Sequence, residues 1–359
     1  MRVTLPARSD RIAGVTAVIP CYNYGHYLPQ AVESVLGQPG VDARVIIVDD
    51  CSTDDSLTVA TDLASRDPRI TVLAHAVNAG HIATYNDGLD AVTTEYLTLV
   101  SADDLVAPGA LGRAVELMNA YPRVGMVYGQ PVEFTAEPPV GDRDSRAPLT
   151  WTRWRGHEWI RIACRRGRNF ILSPEVVMRT TAVRQIGGYN AALPKSGDLE
   201  YWLRTASEWE VGRVNGRVQA FYRQHGGNMH EKEYSTMVAD LAHRLLAFRY
   251  LDSTELRPLV RSARRALSRE AIGIAVRELE TGGRREVARD LLAAAADILP
   301  SSASTRRVRR LQAMVQRGMP PSITARSAGA RSILRRPVVY LRSIADRVRW
   351  RLWVHTGVS

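Results

Sequence analysis

Cysteine is scarce in this sequence, and Cys21, Cys51 and Cys164 stand far apart. Three scattered thiols supply neither a disulfide framework nor a Cys-based zinc site, so a reducing, cytoplasmic compartment is expected. Long apolar runs are missing too: no stretch reaches the roughly 18 residues that a spanning helix needs. The opening "MRVTLPARSDRIAGVTAVIP" shows no apolar segment ahead of a cleavage-like site. Membrane contact is therefore expected to be peripheral if it occurs. No G-x-G-x-x-G follows the first apolar strand, and G-x-x-x-x-G-K-[ST] occurs nowhere. That excludes a dinucleotide fingerprint and a P-loop.

Acidic residues are nearly missing from one region. Residues 301–359 carry 13 Arg, no Lys and a single acid, Asp346, so this tail holds the whole excess behind the net charge of +11. The remainder is close to neutral, which argues against nucleic-acid binding throughout and for one local contact with an anionic surface. A chain of 359 residues, 45% hydrophobic and 24% charged, can bury a sizeable core and is expected to hold two domains.

Apolar runs and helical periodicity alternate along the first third. "VTAVIP" (15–20), "ARVIIVDD" (43–50), "ITVLAHA" (70–76), "EYLTLVS" (95–101) and "GMVYGQPVEF" (125–134) read as strands. Residues 27–38, 54–67, 81–93 and 108–122 have helical spacing. Short links between them predict an α/β, Rossmann-like fold: a mostly parallel sheet with helices on both faces. Ligands of such sheets bind beyond the carboxyl ends of the strands, where Asp49-Asp50 and Asp103-Asp104 lie. "TAEPPVGDRDSRAP" (135–148) reads as a loop. Residues 150–228 are mixed, with a helix around "DLEYWLRTASEW". After His230 the pattern becomes helical, broken at "TGG" (281–283). The expected organisation is a domain over 1–229, a helical extension over 230–300 and an Arg-rich amphipathic tail over 301–359.

Seven segments occur in the order found in family-2 glycosyltransferases with the GT-A fold, and residues 14–228 resemble that family. They are "VIPCYNYGHYLPQAVESVLGQ", "VIIVDDCSTDDS", "NAGHIATYNDGL", "EYLTLVSADDLVAPGAL", "IGGYN", "SGDLEYWLR" and "YRQHGGN". The resemblance implies an inverting, metal-dependent transfer of a sugar from a nucleoside diphosphate donor to an acceptor hydroxyl. The acceptor would be a polysaccharide, cell-wall or glycolipid glycan, and a UDP-linked sugar is the first expectation for the donor. The alternative is a non-catalytic donor-binding or scaffolding protein with decayed motifs.

By that resemblance Asp50 contacts the base, able to accept the N3–H of uracil or the N–H groups of guanine. Pro20 and Tyr22 line the same pocket, and Asn78, Gly80 and Asn86 lie near the donor. Without the resemblance, Asp49 to Asp54 read as helix caps. "SADD" stands where the family often has D-x-D or D-A-D-D. Asp103 then matches the ligand of a divalent cation (Mg²⁺ or Mn²⁺), Asp104 is a second donor-side acid, and Ser101 replaces the carboxylate that contacts ribose. One protein carboxylate suffices for Mg²⁺ when phosphate and water complete the shell. His225 would ligate the metal or contact the diphosphate, with Gly226-Gly227 letting its loop close.

"SGDLEYWLR" is similar to the family's E-D-x-x-x-W-x-R element, so Asp198 matches the catalytic base, although Gly197 replaces the preceding Glu. Glu200 is the rival, and at 3.6 residues per turn the two acids lie about 200° apart. Trp202 shares the face of Asp198 and is a candidate acceptor contact. Trp151, Trp154 and Trp159 read first as a packed amphipathic segment. The tail at 331–354 mixes Arg with large apolar residues, which fits an interfacial helix on an anionic membrane surface of the cytoplasmic face. Nucleic acid is not an expected partner.

Overall fold

The structure, a computed structural model, describes residues 1–7, 11–137, 148–226, 237–281 and 283–316. The tail segment 331–354, Gly227 and most of the loop expected at 135–148 lie outside them. The described residues fall into two compact units: one of residues 1–160 with 169–226, the other of 161–168 with 237–316.

The first unit is built on one sheet. Its elements in chain order are β1 (Arg2–Thr4), β2 (Ala13–Cys21), α1 (Leu28–Leu36), β3 (Val41–Asp49), α2 (Ser56–Arg66), β4 (Ile70–Ala74), α3 (His81–Asp90), β5 (Tyr96–Leu99), β6 (Leu105–Val106) and α4 (Ala110–Ala120). There follow β7 (Val124–Phe134), β8 (Thr150–Trp154), α5 (Gly156–Arg166), a short 3₁₀ turn at Ser173–Glu175, β9 (Val177–Arg179), α6 (Thr180–Ile186), α7 (Gly197–Glu208) and β10 (Glu210–Arg223). The order across the sheet is β1-β8-β10-β7-β9-β5-β2-β3-β4, with β6 paired to β10.

β2 is buried along nearly its whole length because it has a parallel neighbour on each side. A strand covered on both faces reads as a continuous apolar run, and "AGVTAVIPC" does. α3 packs closely on this centre: a Cβ at Gly88 would collide with Val18 and meet Val48. β9 runs antiparallel to both β5 and β7, so those two strands point the same way. β10 is parallel to β7 and β3 is parallel to β2. β4 is parallel to β3, and β8 is antiparallel to both β10 and β1, so seven strands share one direction, and the segments after Cys21, Asp49, Leu99 and Arg223 all leave the same edge of the sheet. That edge carries the acids singled out in the sequence.

Trp151, Trp154 and Trp159 are core residues. The first two lie on β8, and the indole of Trp154 stacks against Tyr128 of β7, with ring centroids 6.2 Å apart.

The second unit is helical: α8 (Met237–Arg249), α9 (Arg257–Glu280), α10 (Arg285–Ile298), α11 (Pro300–Ala303) and α12 (Arg306–Gln316). Ala263, Leu267, Ala271 and Ala275 recur every four residues on α9 and are buried with Ala288, Leu291, Leu292 and Ala295 of α10. Small residues let the two backbones approach, and Ser268 Oγ donates to the Ala295 carbonyl at 3.0 Å. No described helix is long and apolar enough to cross a membrane.

Candidate active site

Two non-glycine residues in the left-handed region shape the loops after β2 and β3: Asn23 at φ 60° and Cys51 at φ 57°. Asn is among the residues that tolerate this region, because its short side chain can bond locally. Here Asn23 Oδ1 accepts the Thr53 N–H at 2.8 Å, while its own N–H donates to Ser52 Oγ at 3.0 Å. The two strand-end loops are thereby tied together. Asp49 turns inward and accepts the Ser52 N–H at 3.0 Å.

Asp50 is 4% exposed and sits in a cradle of N–H groups. Oδ1 accepts from Ala79 N–H at 2.7 Å and from His75 Nδ1 at 2.8 Å; Oδ2 accepts from Gly80 N–H at 2.9 Å. Burial pushes this carboxyl up, but the His75 bond and the two backbone N–H groups outweigh it and leave its pKa below the ordinary value. Gly80 takes φ 83°, a conformation that other residues rarely adopt, so glycine at this position lets the cradle turn. Asn78 Nδ2 donates to the Asp50 carbonyl at 3.2 Å. Pro20 lies opposite Val48 in the β2–β3 register, and Tyr22 is 44% exposed just beyond it.

The loop after β5 separates its two acids. Asp103 Oδ2 lies 3.0 Å from His225 Nε2, which joins the end of β5 to the segment after β10. Tyr24 and Tyr27 flank this imidazole, with ring centroids 5.7 and 5.4 Å away. The Tyr24 hydroxyl is pushed up to about 12 by burial and by the Asp103 charge. Asp104 is 1% exposed and points into the protein, where Oδ1 accepts the Arg223 N–H at 2.9 Å. Burial and the neighbouring Asp103 charge hold its carboxyl well above the usual range. The Asp104 backbone N–H donates to the Ser101 carbonyl at 3.0 Å. Among the described residues no group of three or more His, Cys, Asp or Glu forms a metal-ligand set. Asp103 and His225 fit a cation as two convergent ligands of the types such a site uses, with phosphate and water supplying the others.

Asp198 stands in the first turn of α7, and its Oδ2 accepts the Ser173 hydroxyl at 2.8 Å. Burial raises its pKa; hydrogen bonds from Ser173 and Tyr189 and the nearness of His81 oppose the rise without cancelling it. His81 follows Gly80 of the Asp50 cradle, and its Nε2 lies 3.0 Å from the Pro194 carbonyl oxygen. Asn86 on α3 clasps the Tyr189 backbone from both sides, accepting its N–H at 2.7 Å and donating to its carbonyl at 3.0 Å. The start of α3 thus connects the environments of Asp50 and Asp198.

Glu200 has a different neighbourhood. It is buried and paired with Arg204, whose Nε lies 2.9 Å from Oε1 and whose Nη2 lies 3.0 Å from Oε2. Arg204 also donates to the Gly188 carbonyl at 2.7 Å. The Arg of the W-x-R element therefore fastens α7 to the segment after α6. Trp202 is 2% exposed, in contact with Tyr201 at a ring separation of 5.7 Å, and occupies a core position. His75, Ser173, Tyr189 and Arg204 escaped individual attention in the sequence. Tyr189 and Arg204 fall in the family-like segments and His75 in the strand-like run 70–76, whereas Ser173 carries no local signal.

A profile of the family described as Glycosyl transferase family 2 matches residues 16–183. The succinoglycan biosynthesis protein ExoO of Rhizobium meliloti (strain 1021) is 36% identical over 115 residues, 32% of this chain and 32% of the relative. An uncharacterized glycosyltransferase of Nostoc sp. is 36% identical over 114 residues, 32% of this chain and 35% of the relative. The chain spans about a third of the length of these curated relatives. S. aureus TarS 1–349, solved in complex with UDP-GlcNAc, superposes with a TM-score of 0.60 at 16% identity, covering 83% of each chain. The mannosyltransferase PcManGT from Pyrobaculum calidifontis, solved with GDP-Man and Mn²⁺, gives 0.52 at 16% identity, covering 87% of each. Residues 16–183 thus match the profile of glycosyl transferase family 2, and the sheet has the GT-A fold.

Proposed function

We propose that this protein is an inverting glycosyltransferase that moves a sugar from a UDP-linked donor to a hydroxyl of a glycan or glycolipid acceptor. The observation that carries this reading is the gathering of three groups beyond one sheet edge: the Asp50 cradle, the Asp103–His225 pair and Asp198. ExoO, named for succinoglycan biosynthesis, supports a glycan product, and the TarS complex supports a UDP-linked donor.

Asp50, held ionised, accepts an N–H of the base. Asp103 and His225 would hold a divalent cation, which when bound stabilises the charge that develops on the leaving diphosphate. Asp198 accepts the proton of the acceptor hydroxyl as that oxygen attacks the anomeric carbon and the carbon–oxygen bond to the diphosphate breaks. A base with a raised pKa suits this step, because efficiency peaks when the catalytic pKa approaches the working pH. Ser173 and Tyr189 orient the carboxylate.

The test is release of nucleoside diphosphate from a panel of UDP- and GDP-linked sugars, with Mn²⁺ and with or without bacterial glycans. UDP release that the Asp198→Asn variant does not support is the expected result. Absence of both turnover and binding of any nucleoside diphosphate would overturn the reading.

A further inference from the structure

Resting on the reading of Asp50 as the base-contacting residue, we infer that His75 selects the base by filling one side of the Asp50 carboxylate. An ionised carboxylate offers about four acceptor positions, two on each oxygen. At Asp50, His75 Nδ1 and Ala79 N–H fill Oδ1, and Gly80 N–H takes one position on Oδ2. About one position remains, on Oδ2.

A carboxylate in that state accepts one hydrogen bond from a base. Uracil offers a single donor, N3–H, between two carbonyl oxygens. Guanine offers N1–H and N2–H₂ side by side and matches a carboxylate whose two oxygens are both open. Cytosine presents a lone pair at N3, which the carboxylate repels. Asn78 adds to the uracil fit: Nδ2 carries two hydrogens, and donation to the Asp50 carbonyl uses one.

His75 can hold this position because its ring is bonded at Nδ1 and its backbone is fixed. Nδ1 is 2.8 Å from Asp50, and Nε2 is 3.0 Å from Asp87 Oδ2 on α3. The His75 backbone N–H donates to the Asp49 carbonyl at 2.9 Å, which fixes its start beyond β4. An ionised Asp50 only accepts, so Nδ1 must carry the proton in this contact. His75 is a positioning residue: it acts on the base through Asp50.

The experiment measures UDP, CDP and GDP affinities by calorimetry with Mn²⁺, for the wild-type protein and for His75→Phe and His75→Ala. Phe keeps the ring volume and Ala removes it, so one folded variant suffices, checked by circular dichroism. The wild type should favour UDP over GDP. In either folded variant that preference should shrink by about tenfold, the worth of one charge-assisted hydrogen bond. An unchanged preference, an equal loss of affinity for all three nucleotides, or a wild type that favours GDP would overturn the inference. Wild-type protein that binds all three no better than inorganic pyrophosphate would instead overturn the reading of Asp50. Asp87→Asn, which keeps the ring and changes only the group beside Nε2, should narrow the preference by less than His75→Phe does.

Discussion

At the end of β3 the Asp50 carboxylate is ringed by N–H donors from His75, Ala79 and Gly80, and its pKa lies below the ordinary value. At the start of α7 the Asp198 carboxylate meets the hydroxyls of Ser173 and Tyr189, and burial raises its pKa. Both are aspartates beyond the same sheet edge, and the start of α3 lies between them. What differs is the chemistry of the donors. Backbone N–H groups aimed at both oxygens favour the anion strongly, whereas hydroxyls support it less and let desolvation win. One carboxylate is thereby suited to recognition as a fixed anion and the other to taking up a proton.

Asp198→Asn tests that division most severely. Transfer should fall by about a thousandfold, within the usual worth of a general base. The same change should not weaken the fold at neutral pH. A raised folded pKa means that ionising Asp198 is harder in the folded protein than in the unfolded chain. That penalty is present above the folded pKa and vanishes below the unfolded one. The variant should therefore melt at or above the wild-type temperature at pH 8 and lose that advantage at acid pH, as thermal melts across the range will show. A large fall in melting temperature at pH 8 would mean that the Asp198 charge supports the fold, as the charge of Asp50 does.

Asp103→Asn comes next in expected size. It removes the carboxylate that faces His225, and Mn²⁺-stimulated activity should drop by roughly a hundredfold, or about 3 kcal/mol of charge stabilisation. Activity that remains low at every Mn²⁺ concentration, with unchanged circular dichroism, is the expected pattern. Full recovery at high Mn²⁺ would assign Asp103 to affinity alone.

Asp50→Asn is the counterpart of the Asp198 variant and has the opposite sign. A lowered folded pKa contributes stability above the unfolded value, about 3.9, which is lost as pH falls through the folded pKa. The variant turns an N–H toward groups that already donate, at a cost of about 2 kcal/mol. Denaturant melts should show that deficit at pH 7, narrowing toward pH 3, together with weaker UDP binding.

Half of this arrangement is legible in the amino-acid order. β2, β3 and β5 are buried on both faces, so their continuous apolar runs stand out, and the acids that follow mark the sheet edge. The mixed half resists such reading. β9 is three residues long, too short for a period of two to register, and its partner Thr98 lies far away in sequence from Val177. β6 is shorter still and pairs with β10 across more than a hundred residues. Within the site, "DD" written twice gives no hint that Asp49 and Asp104 turn inward while Asp50 and Asp103 face the edge. That division follows from the backbone bends at Cys51 and at Ser101–Asp104. His75 is a lone histidine at the end of a strand, and only its position between Asp50 and Asp87 gives it a role.

Ser101 supplies the smallest of these tests. The resemblance puts a ribose-contacting carboxylate at its position, but here a neutral hydroxyl stands near Asp104, whose carboxyl is already raised by burial. A neutral hydroxyl offers a ligand a weaker contact than a carboxylate does. Ser101→Ala should change UDP affinity by no more than about threefold, the scale of one neutral hydrogen bond. Losing that donor should push Asp104 further up, which favours its protonated form and leaves the Arg223 contact as its main restraint. Isothermal titration with UDP and with UMP will measure the effect. A tenfold or larger loss for both nucleotides would show that Ser101 touches the ribose, and that the donor end holds its ligand through more than the Asp50 cradle.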